Sequence, residues 1–316
     1  MKKMQIGFIG LGRMGKNIVL HLLEQGIDVV AWNRSPGPRV EVANAGALTP
    51  ETLAELVATL KPPRNIWLMV TAGEVVDDLL GQLIDKLSAG DLIIDGGNSF
   101  YKDSQRRAKM LAKSGIHFMD VGTSGGIESA RHGACLMVGG EKDDFKRVEP
   151  VFMAIAAPDA YGLLGPVGAG HFAKMVHNGI EYGMMEAIGE GAAILKNSEF
   201  KYDLREVFRV YSIRSIIESR LVSWTLAELK NDPELSDISS VIGSAGTALK
   251  TKGEAHWTVE LAKQMGIDVP VIEAALKVRK KSERDRENSP AGFRNKVVAA
   301  MRWQFGQHPV KKTSRG

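Results

Sequence analysis

One segment of the sequence, residues 168–182, places four polar side chains at the spacing of a single helix face. Lys174, His177, Asn178 and Glu181 stand at positions i, i+3, i+4 and i+7, which project to one side of an α-helix. Seven residues of helix rise about 10 Å. That separation lets a base and an acid act on opposite parts of one small substrate, so the spacing predicts an acid–base pair formed by Lys174 and Glu181.

The alternative interpretation of these positions is a solvated surface stripe without chemistry. The flanking residues are apolar: Phe172, Met175, Val176 and Ile180. They indicate a largely buried helix, in which unpaired charges are costly. A single histidine on such a helix is more often a core residue with a satisfied hydrogen bond, but the position of His177 between Lys174 and Glu181 favours a binding role. A base must also be uncharged, and burial favours the uncharged form of the Lys174 amine.

Two glycine-rich segments carry further polar side chains. They are Asp95-Gly-Gly-Asn98-Ser99 and Gly122-Thr-Ser124-Gly125-Gly126. Each lies at the end of a predicted strand, and ligands of open α/β sheets bind at the carboxyl ends of the strands. We therefore expect both segments to contact a substrate.

A phosphate-binding turn is predicted near the N-terminus. A predicted strand over residues 4–9 runs into Gly10-Leu11-Gly12-Arg13-Met14-Gly15 and then into a helix, which is the context that the G-x-G-x-x-G fingerprint requires. Gly10 permits the tight turn, Gly12 lets the backbone approach a pyrophosphate, and Gly15 allows the helix to pack on the strand. The free N–H groups of the helix N-terminus attract the anion. The segment predicts dinucleotide binding, and a tight turn without a ligand is the alternative.

The end of the second predicted strand bears on which dinucleotide binds. An acidic residue there typically bonds the ribose hydroxyls of NAD. This strand instead ends in Asn33-Arg34-Ser35, which has no carboxylate to repel a 2′-phosphate and offers a guanidinium and a hydroxyl to bind one. The segment favours NADP over NAD. The alternative is that Arg34 lies on the adenine ring of an enzyme that accepts both.

The elements that must position these residues alternate regularly in the first half of the chain. Short apolar runs are separated by helical periodicity, which is typical of a parallel sheet covered by helices. The predicted strands are residues 4–9, 28–32, 65–70, 92–95, 117–121 and 134–138. A helix over residues 14–25, with an apolar stripe at Ile18, Val19, Leu22 and Leu23 and a capping Gly26, completes the first β-α-β unit.

After residue 165 the strand pattern gives way to helix-compatible runs. Helices are predicted over residues 169–196, 203–211, 215–231, 258–265 and 269–281, followed by a charged loop over 282–290. Four glycines in the first of them, at positions 179, 183, 189 and 191, indicate close packing against another helix or a subunit. We predict a Rossmann-type α/β domain over residues 1–165, a doubly wound parallel sheet that binds a dinucleotide. An all-α helical domain over residues 166–316 follows, for substrate binding and oligomerisation.

The composition excludes several classes of protein. Of 316 residues, 44% are hydrophobic and 25% charged, as in ordinary globular proteins rather than disordered or fibrous ones. No apolar run approaches the roughly 20 residues of a membrane span and no signal sequence is evident, so we expect a cytoplasmic protein without a membrane partner. The single cysteine, Cys135, cannot form an internal disulfide and is expected to be buried in its strand. No Cys or His cluster has the spacing of a metal site.

Positive charge is concentrated at the C-terminal end. Residues 277–316 contain twelve lysines and arginines but three acidic residues, within a net charge of +4 for the chain. Such a segment suits nucleic acid or an anionic small substrate. Aromatic and basic residues do not alternate there as a base-stacking surface requires, so we expect no nucleic-acid partner.

Taken together, these motifs resemble the decarboxylating 6-phosphogluconate dehydrogenase family. The most specific of them is the segment from Lys174 to Tyr182, of which related β-hydroxyacid dehydrogenases share mainly the lysine and the asparagine. The similarity extends to the segment from Arg302 to His308, so it spans almost the whole chain. The length is that of the short form of the family.

The resemblance implies oxidative decarboxylation of 6-phospho-D-gluconate to D-ribulose 5-phosphate, with reduction of NADP or NAD, in the pentose phosphate pathway. Lys174 would take the proton of the C3 hydroxyl, Glu181 would deliver a proton to C1, and no metal ion is needed. The residues implied for the carboxylate and hydroxyls are Asn98, Ser124, Gly125, Gly126, His177 and Asn178. Those implied for the phosphate are Tyr182, Arg279, Arg302 and His308. Family members supply the last two from a neighbouring subunit, which implies a homodimer or homotetramer.

Two positions depart from the longer members of the family. The segment Val70-Thr71-Ala72 is expected to contact the cofactor together with Asn98, but a lysine stands at the Thr71 position in the longer enzymes. His256 likewise replaces a substrate-binding lysine, whose charge Lys250 or Lys252 could supply.

Two other functions stay open on the sequence alone. One is a related β-hydroxyacid dehydrogenase that acts on a small 3-hydroxy acid without a phosphate. The other is a non-catalytic dinucleotide-binding module, whose hallmark would be a broken acid–base pair.

Overall fold

A computed structural model describes residues 4–242 and 254–306 of the chain. The chain divides into two compact units, Met1–Lys174 and Met175–Gly316. Each unit has its own buried apolar clusters. Within the described ranges, no helix combines the length and the apolar character that crossing a membrane requires.

The first unit is built on one seven-stranded sheet with the strand order β2-β1-β3-β4-β5-β6-β7. The strands are β1 Gln5–Ile9, β2 Asp28–Trp32, β3 Asn65–Leu68, β4 Leu92–Asp95, β5 His117–Ser124, β6 Ala134–Gly139 and β7 Ala156–Gly165. Neighbouring strands from β2 to β5 are parallel, β6 is antiparallel to β5, and β7 is parallel to β6. The predicted Rossmann-type fold is confirmed, with one reversed strand pair.

Strand β7 was not among the predicted strands. It is an edge strand in which no residue is fully buried. Its sequence contains a proline and two glycines, and Asp159 adopts a φ of 59°. The alternation of apolar and polar residues that signals a strand is therefore weak there.

The prediction that Cys135 is buried is wrong. Cys135 is exposed, whereas its neighbours Ala134 and Leu136 on β6 are buried. Successive side chains of a strand point to opposite faces, and the core face of β6 takes the even positions. Cys135 consequently faces away from the core.

Seven helices of the first unit cover the sheet. They are α1 Arg13–Glu24, α2 Pro36–Asn44, α3 Leu53–Thr59, α4 Glu74–Ile84, α5 Tyr101–Ala112, α6 Gly126–His132 and α7 Lys142–Ile155. Helix α1 buries Ile18, Val19 and Leu22 as its apolar stripe predicts. It ends at Glu24, and Gly26, which follows the C-capping Gln25, has a φ of 81° that favours glycine.

The remaining helices are α8 Ala169–Lys196, α9 Leu204–Tyr211, α10 Arg220–Asn231, α11 Glu254–Gln264, α12 Pro270–Lys281 and α13 Pro290–Gly306. The prediction of one helix over residues 169–196 is confirmed, and the division between the two units falls inside it. The sequence predicts a boundary near residue 165.

The helices of the second unit differ from the prediction at three points. Helix α11 begins at Glu254, four residues before the predicted start at residue 258. The helix predicted over residues 215–231 begins only at Arg220, because Ser219 caps it by accepting a hydrogen bond from the backbone N–H of Val222. Helix α13 was not predicted, although its central residues, from Val297 to Met301, are buried in the main core of the unit.

The glycines of α8 permit close packing, as predicted. A Cβ atom on Gly179 would lie 2.9 Å from the Thr258 side chain of α11, and one on Gly189 would lie 2.9 Å from the Val298 side chain of α13. These contacts fix α8 against two other helices of the second unit. Gly191 has no neighbour within 4 Å of its Cβ position and does not contribute.

Candidate active site

The turn after β1 has the geometry of a phosphate-binding loop. Gly10 has a φ of 103°, and a Cβ atom there would collide with the carbonyl oxygen of Met69. A Cβ atom on Gly15 would collide with the carbonyl oxygen of Gly10, so α1 reaches the turn only because residue 15 is glycine. At Gly12 the Cβ position has no atom within 4 Å.

The start of α1 fits the pyrophosphate of a dinucleotide. Gly12 is exposed and caps the helix without a side-chain hydrogen bond, and the first turn, which includes Arg13 and Met14, contains no acidic residue. The positive end of the helix dipole at this turn therefore favours an anion.

The end of β2 holds this loop in place. The side-chain oxygen of Asn33 accepts a hydrogen bond from the backbone N–H of Leu11 at 2.9 Å, and its amide nitrogen donates to the carbonyl oxygen of Ser35 at 3.1 Å. Arg34 and Ser35 are exposed. The hydroxyl of Ser35 makes no capping bond to α2, so it is available to a ligand.

The loops that follow β3 and β4 meet the glycine turn. A Cβ atom on Gly10 would lie 2.9 Å from the Val70 side chain. A Cβ atom on Gly97 would lie 2.9 Å from the Val70 carbonyl oxygen. Asn98 and Thr71 are exposed, and Ala72 is half-buried. The structure thus brings together three of the predicted cofactor-binding segments.

A fully buried arginine ties these two loops together. Arg107 of α5 donates from Nε to Asp77 at 2.9 Å, from Nη2 to the carbonyl oxygen of Gly73 at 2.9 Å, and from Nη1 to the Ser99 hydroxyl at 3.1 Å. Ser99 in turn donates to Asp95 at 2.7 Å. These partners lie in separate segments of the sequence, so no local spacing of residues predicts this hydrogen-bond network.

A second buried group that the sequence analysis missed fixes the start of α8. The Asp120 carboxylate on β5 accepts hydrogen bonds from the backbone N–H groups of Gly168, at 2.6 Å, and His171, at 2.7 Å. Burial raises the pKa of Asp120, while the neighbouring His171 and these hydrogen bonds act in the opposite direction. The carboxylate therefore caps the N-terminus of α8.

Lys174 lies one turn further along α8, against β5. A Cβ atom on Gly122 would collide with the Cβ of Lys174, so glycine at position 122 allows the lysine to approach the strand. The Lys174 side chain is buried, with 8% of the residue exposed. Strand β5 ends at Ser124, two residues after Gly122. The chain then turns at Gly125 and Gly126, whose φ values are 113° and 75°.

The polar positions of α8 that follow Lys174 belong to the second unit. Nδ1 of His177 lies 3.0 Å from Oδ1 of Asn178 and 3.7 Å from Oε2 of Glu181. Asn178 is buried and the Glu181 side chain is 20% exposed. Ile180 is 54% exposed, which contradicts the expectation that it belongs to a buried face. Helix α8 is therefore buried on one side only, and that side includes Asn178.

Two arginines form a positively charged group in the second unit. The Arg279 guanidinium lies 3.3 Å from the centroid of the Tyr182 ring, a cation–π contact. Its Nε and Nη2 atoms are buried and make no hydrogen bond to the described residues. Arg279 therefore has donors available for an anion.

Arg302 of α13 lies close enough to Arg279, Tyr182 and Glu181 for their charges to act on it. Its Nη1 donates to the carbonyl oxygen of Ile242 at 3.0 Å. Burial lowers the pKa of Arg302 to about 10, and the like charge of Arg279 adds to this effect. Within one chain, α13 thus places Arg302 near Arg279. That Arg302 completes the site of a neighbouring subunit, as the resemblance implies, stays a prediction.

Some predicted residues are not part of these groups. His308, Lys250 and Lys252 lie outside the described residues. His256 lies half-buried on α11. Within residues 4–242 and 254–306, no three His, Cys, Asp or Glu side chains are grouped so that they could hold a metal ion.

Comparisons with known proteins agree across the chain. Residues 5–165 match the NAD binding domain of 6-phosphogluconate dehydrogenase, and residues 170–300 match the C-terminal domain of 6-phosphogluconate dehydrogenase. A provisionally named 6-phosphogluconate dehydrogenase of Bacillus subtilis (strain 168), YqeC, is 43% identical over 98% of this chain and 100% of its own length.

Two further relatives differ in the nucleotide that their names give. The NAD(+)-dependent, decarboxylating 6-phosphogluconate dehydrogenase of Haloferax volcanii is 37% identical over 98% of this chain and 99% of its own. The Plasmodium falciparum 6-phosphogluconate dehydrogenase, solved in its apo form and with NADP+ and 6-phosphogluconate, superimposes with a TM-score of 0.76 at 31% identity. That comparison covers 94% of this chain and 70% of the other.

Proposed function

Because the chain belongs to the 6-phosphogluconate dehydrogenase family of oxidoreductases, we propose that it oxidises and decarboxylates 6-phospho-D-gluconate to D-ribulose 5-phosphate. The observation that carries the proposal is the pair Arg279 and Arg302. Two largely buried guanidinium groups close to one another repel, and the nearby Glu186 carboxylate forms no hydrogen bond with Arg279, so a bound anion would offset their charge. A phosphate dianion does so, and a 3-hydroxy acid without a phosphate does not need them.

Lys174 is the proposed base. It takes the proton of the C3 hydroxyl, and a nicotinamide cofactor, when bound, would supply the acceptor for the hydride that leaves C3. The ammonium group then polarises the new C3 carbonyl, so that loss of CO2 leaves a stabilised enediol. The burial of Lys174 against Gly122 supports this role, because it limits both the hydration and the motion of the amine.

Glu181 is the proposed acid that donates a proton to C1 of the enediol. It lies on the same continuous helix as Lys174 and beside His177. We propose that His177 and Asn178, together with Asn98, Ser124, Gly125 and Gly126, bind the carboxylate and hydroxyls of the substrate. Tyr182, Arg279, Arg302 and His308 bind its phosphate.

NADP is the proposed preferred nucleotide, on the exposed Arg34 and Ser35 after β2, and NAD is the alternative. The glycine turn from Gly10 to Gly15 holds the pyrophosphate, and residues 70–72 lie beside it. We further propose a cytoplasmic homodimer or homotetramer without nucleic-acid or membrane partners.

The test is an assay of the purified protein with 6-phosphogluconate and with gluconate, each with NADP and with NAD. Reduced nicotinamide and released CO2 are measured together. We expect both products, in equal amounts, from 6-phosphogluconate and little of either from gluconate. Equal turnover of gluconate, or reduction without CO2, would favour a dehydrogenase of phosphate-free 3-hydroxy acids, and no turnover would favour a non-catalytic module.

A further inference from the structure

A buried carboxyl group lies inside the proposed phosphate site and has no role in the reaction described above. Glu186 stands on α8 one turn after Tyr182, and 4% of the residue is exposed. Its Oε1 atom lies 3.6 Å from Nε of Arg279, which is an ion-pair distance but too long for a hydrogen bond. Neither carboxylate oxygen accepts a hydrogen bond from the described residues.

Arg279, the positively charged partner of Glu186, also lacks hydrogen bonds at two of its buried nitrogen atoms. Arg279 is 11% exposed in its side chain, and its Nε and Nη2 atoms lack acceptors among the described residues. A buried pair that is stable for its own sake is normally closed by short hydrogen bonds. This pair is in contact but not closed, so Arg279 can leave Glu186 for a better acceptor at little cost.

The charges around Glu186 come from three helices. Glu190 shares α8 with it, Arg279 comes from α12, and Arg294 and Arg302 come from α13, where Glu181 also acts on Arg302. Arg294 is already bonded to Asp285 at 3.0 Å. Burial raises the pKa of Glu186 to about 7 although Arg279 and Arg294 lower it, so the carboxyl group exchanges protons close to neutral pH.

We propose that Glu186 is a positioning residue that holds Arg279 while no phosphate is bound and takes up a proton from solvent when a phosphate dianion replaces it on that arginine. The inference rests on the proposed function for the identity of the substrate, but its physical content concerns any dianion of the phosphate class. The dianion removes the positive charge that stabilised the carboxylate and brings negative charge beside it. Both changes favour the neutral carboxylic acid.

The pH dependence has a definite sign. Above neutral pH the free protein carries an ionised Glu186, so binding of the dianion must be accompanied by proton uptake and weakens as the pH rises. Below about pH 6 the group is already protonated, and no uptake by this group is expected. At pH 8.5 inorganic phosphate is itself fully dianionic, so its binding to arginine supplies no uptake of its own.

The experiment is calorimetric titration of inorganic phosphate and of 6-phosphogluconate into the wild-type protein, Glu186→Gln and Glu190→Gln. Each is measured at pH 6 and pH 8.5 in buffers with different heats of ionisation. Glu190→Gln removes the same charge from an exposed position one turn further along α8 and is the matched control.

We expect the wild type and Glu190→Gln to take up a proton at pH 8.5, and Glu186→Gln to take up none. Glu186→Gln should bind phosphate about thirtyfold more tightly at pH 8.5, because about one thirtieth of the free wild-type carboxyl groups are protonated there, and within twofold of the wild type at pH 6. The protonation equilibrium of the ligand itself contributes equally to the proton uptake measured for all three proteins, so it cancels when the proteins are compared at one pH.

The proposal is overturned if the wild type binds at pH 8.5 without proton uptake, a result that needs no variant to fold. It is also overturned if Glu186→Gln weakens binding equally at both pH values, which would indicate a structural role. A wild type that binds inorganic phosphate but not 6-phosphogluconate would count against the proposed function alone, and the comparison of variants with inorganic phosphate would still decide the role of Glu186.

Discussion

Two groups of buried charges, one in each unit, are built in opposite ways. In the first unit, Arg107 is bonded to Asp77, to Ser99 and to a backbone carbonyl, and Asp120 is bonded to two backbone N–H groups. In the second unit, Arg279 and Glu186 are buried in contact without a hydrogen bond between them. In the first group, hydrogen bonds to the charged side chains hold loops and a helix in place. In the second group, the charged side chains remain able to bind a ligand.

This difference separates positioning from binding. The bonds of Arg107 set the distance between the loops after β3 and β4, which carry residues 70–72 and Asn98. The charges around Arg279 fix no loop, and a buried ion pair without hydrogen bonds recovers little of the cost of its desolvation. The same type of residue therefore has to be tested by stability in one unit and by ligand affinity in the other.

The largest effect is expected at Lys174, the buried amine with which the first unit ends. Lys174→Met should lower kcat by about 10² to 10⁴, because a positioned acid–base group is lost. Affinity for the nucleotide should change little, since the glycine turn is remote in sequence and is held by Asn33 and Trp32. Steady-state kinetics and nucleotide titration measure the two quantities. A variant that keeps more than half of the wild-type kcat would show that Lys174 is not the base.

Arg107→Met tests the paired half of the comparison. Removal of Arg107 leaves Asp95 buried and short of a partner, and we expect a loss of about 3 to 5 kcal/mol in the free energy of unfolding. Arg106→Met is the matched control, because Arg106 bonds to the same Asp77 but is 53% exposed in its side chain. Arg106→Met should lower the free energy of unfolding by less than about 1 kcal/mol. Urea unfolding of both variants gives the numbers, and equal losses would contradict the distinction.

Arg302→Met tests the unpaired half. The KM for 6-phosphogluconate should rise by the equivalent of about 1.5 to 3 kcal/mol, the worth of a hydrogen bond to a charged group. The KM for gluconate should stay the same. Stability should change by less than about 1 kcal/mol, because relief of a desolvated charge offsets the lost bond to Ile242. If stability falls as far as in Arg107→Met, the second unit uses its charges as the first does.

The sequence predicted what depends on local periodicity. Strands β2 and β4 and helix α8 were predicted with the bounds that the structure shows. The apolar patterns and turn residues that define such elements lie within a few residues of one another in the sequence. Edge strand β7 and helix α13 lack so clear a local pattern. The burial of α13 comes from packing on α10 and the core of the second unit, which no window of sequence contains.

The candidate site divides in the same way. Lys174, Asn178 and Glu181 were found because one helix places them in register. Asp120, Arg107 and Glu186 were missed because their partners are distant in sequence, up to 93 residues for Glu186 and Arg279. Their significance lies in what they contact, and only the folded chain provides that.

The smallest effect is expected for an exposed charge of the first unit. Arg34 follows β2 at the surface, so water and salt screen its interaction with a 2′-phosphate, and we expect kcat/KM to favour NADP over NAD by about tenfold, or about 1.4 kcal/mol. Arg34→Gln should remove this preference, whereas Arg39→Gln, which replaces an arginine already bonded to Glu51, should not.

Adding Asn33→Asp to Arg34→Gln should invert the preference, since the carboxylate repels the 2′-phosphate and offers an acceptor to the ribose. One carboxylate oxygen can still accept the N–H of Leu11, so the glycine turn should keep its shape, although the bond to the carbonyl of Ser35 is lost. Kinetics with both nucleotides at saturating 6-phosphogluconate decide the point. If the wild type already prefers NAD, Arg34 does not bind a phosphate, and the charges that select an anion in this protein are confined to the second unit.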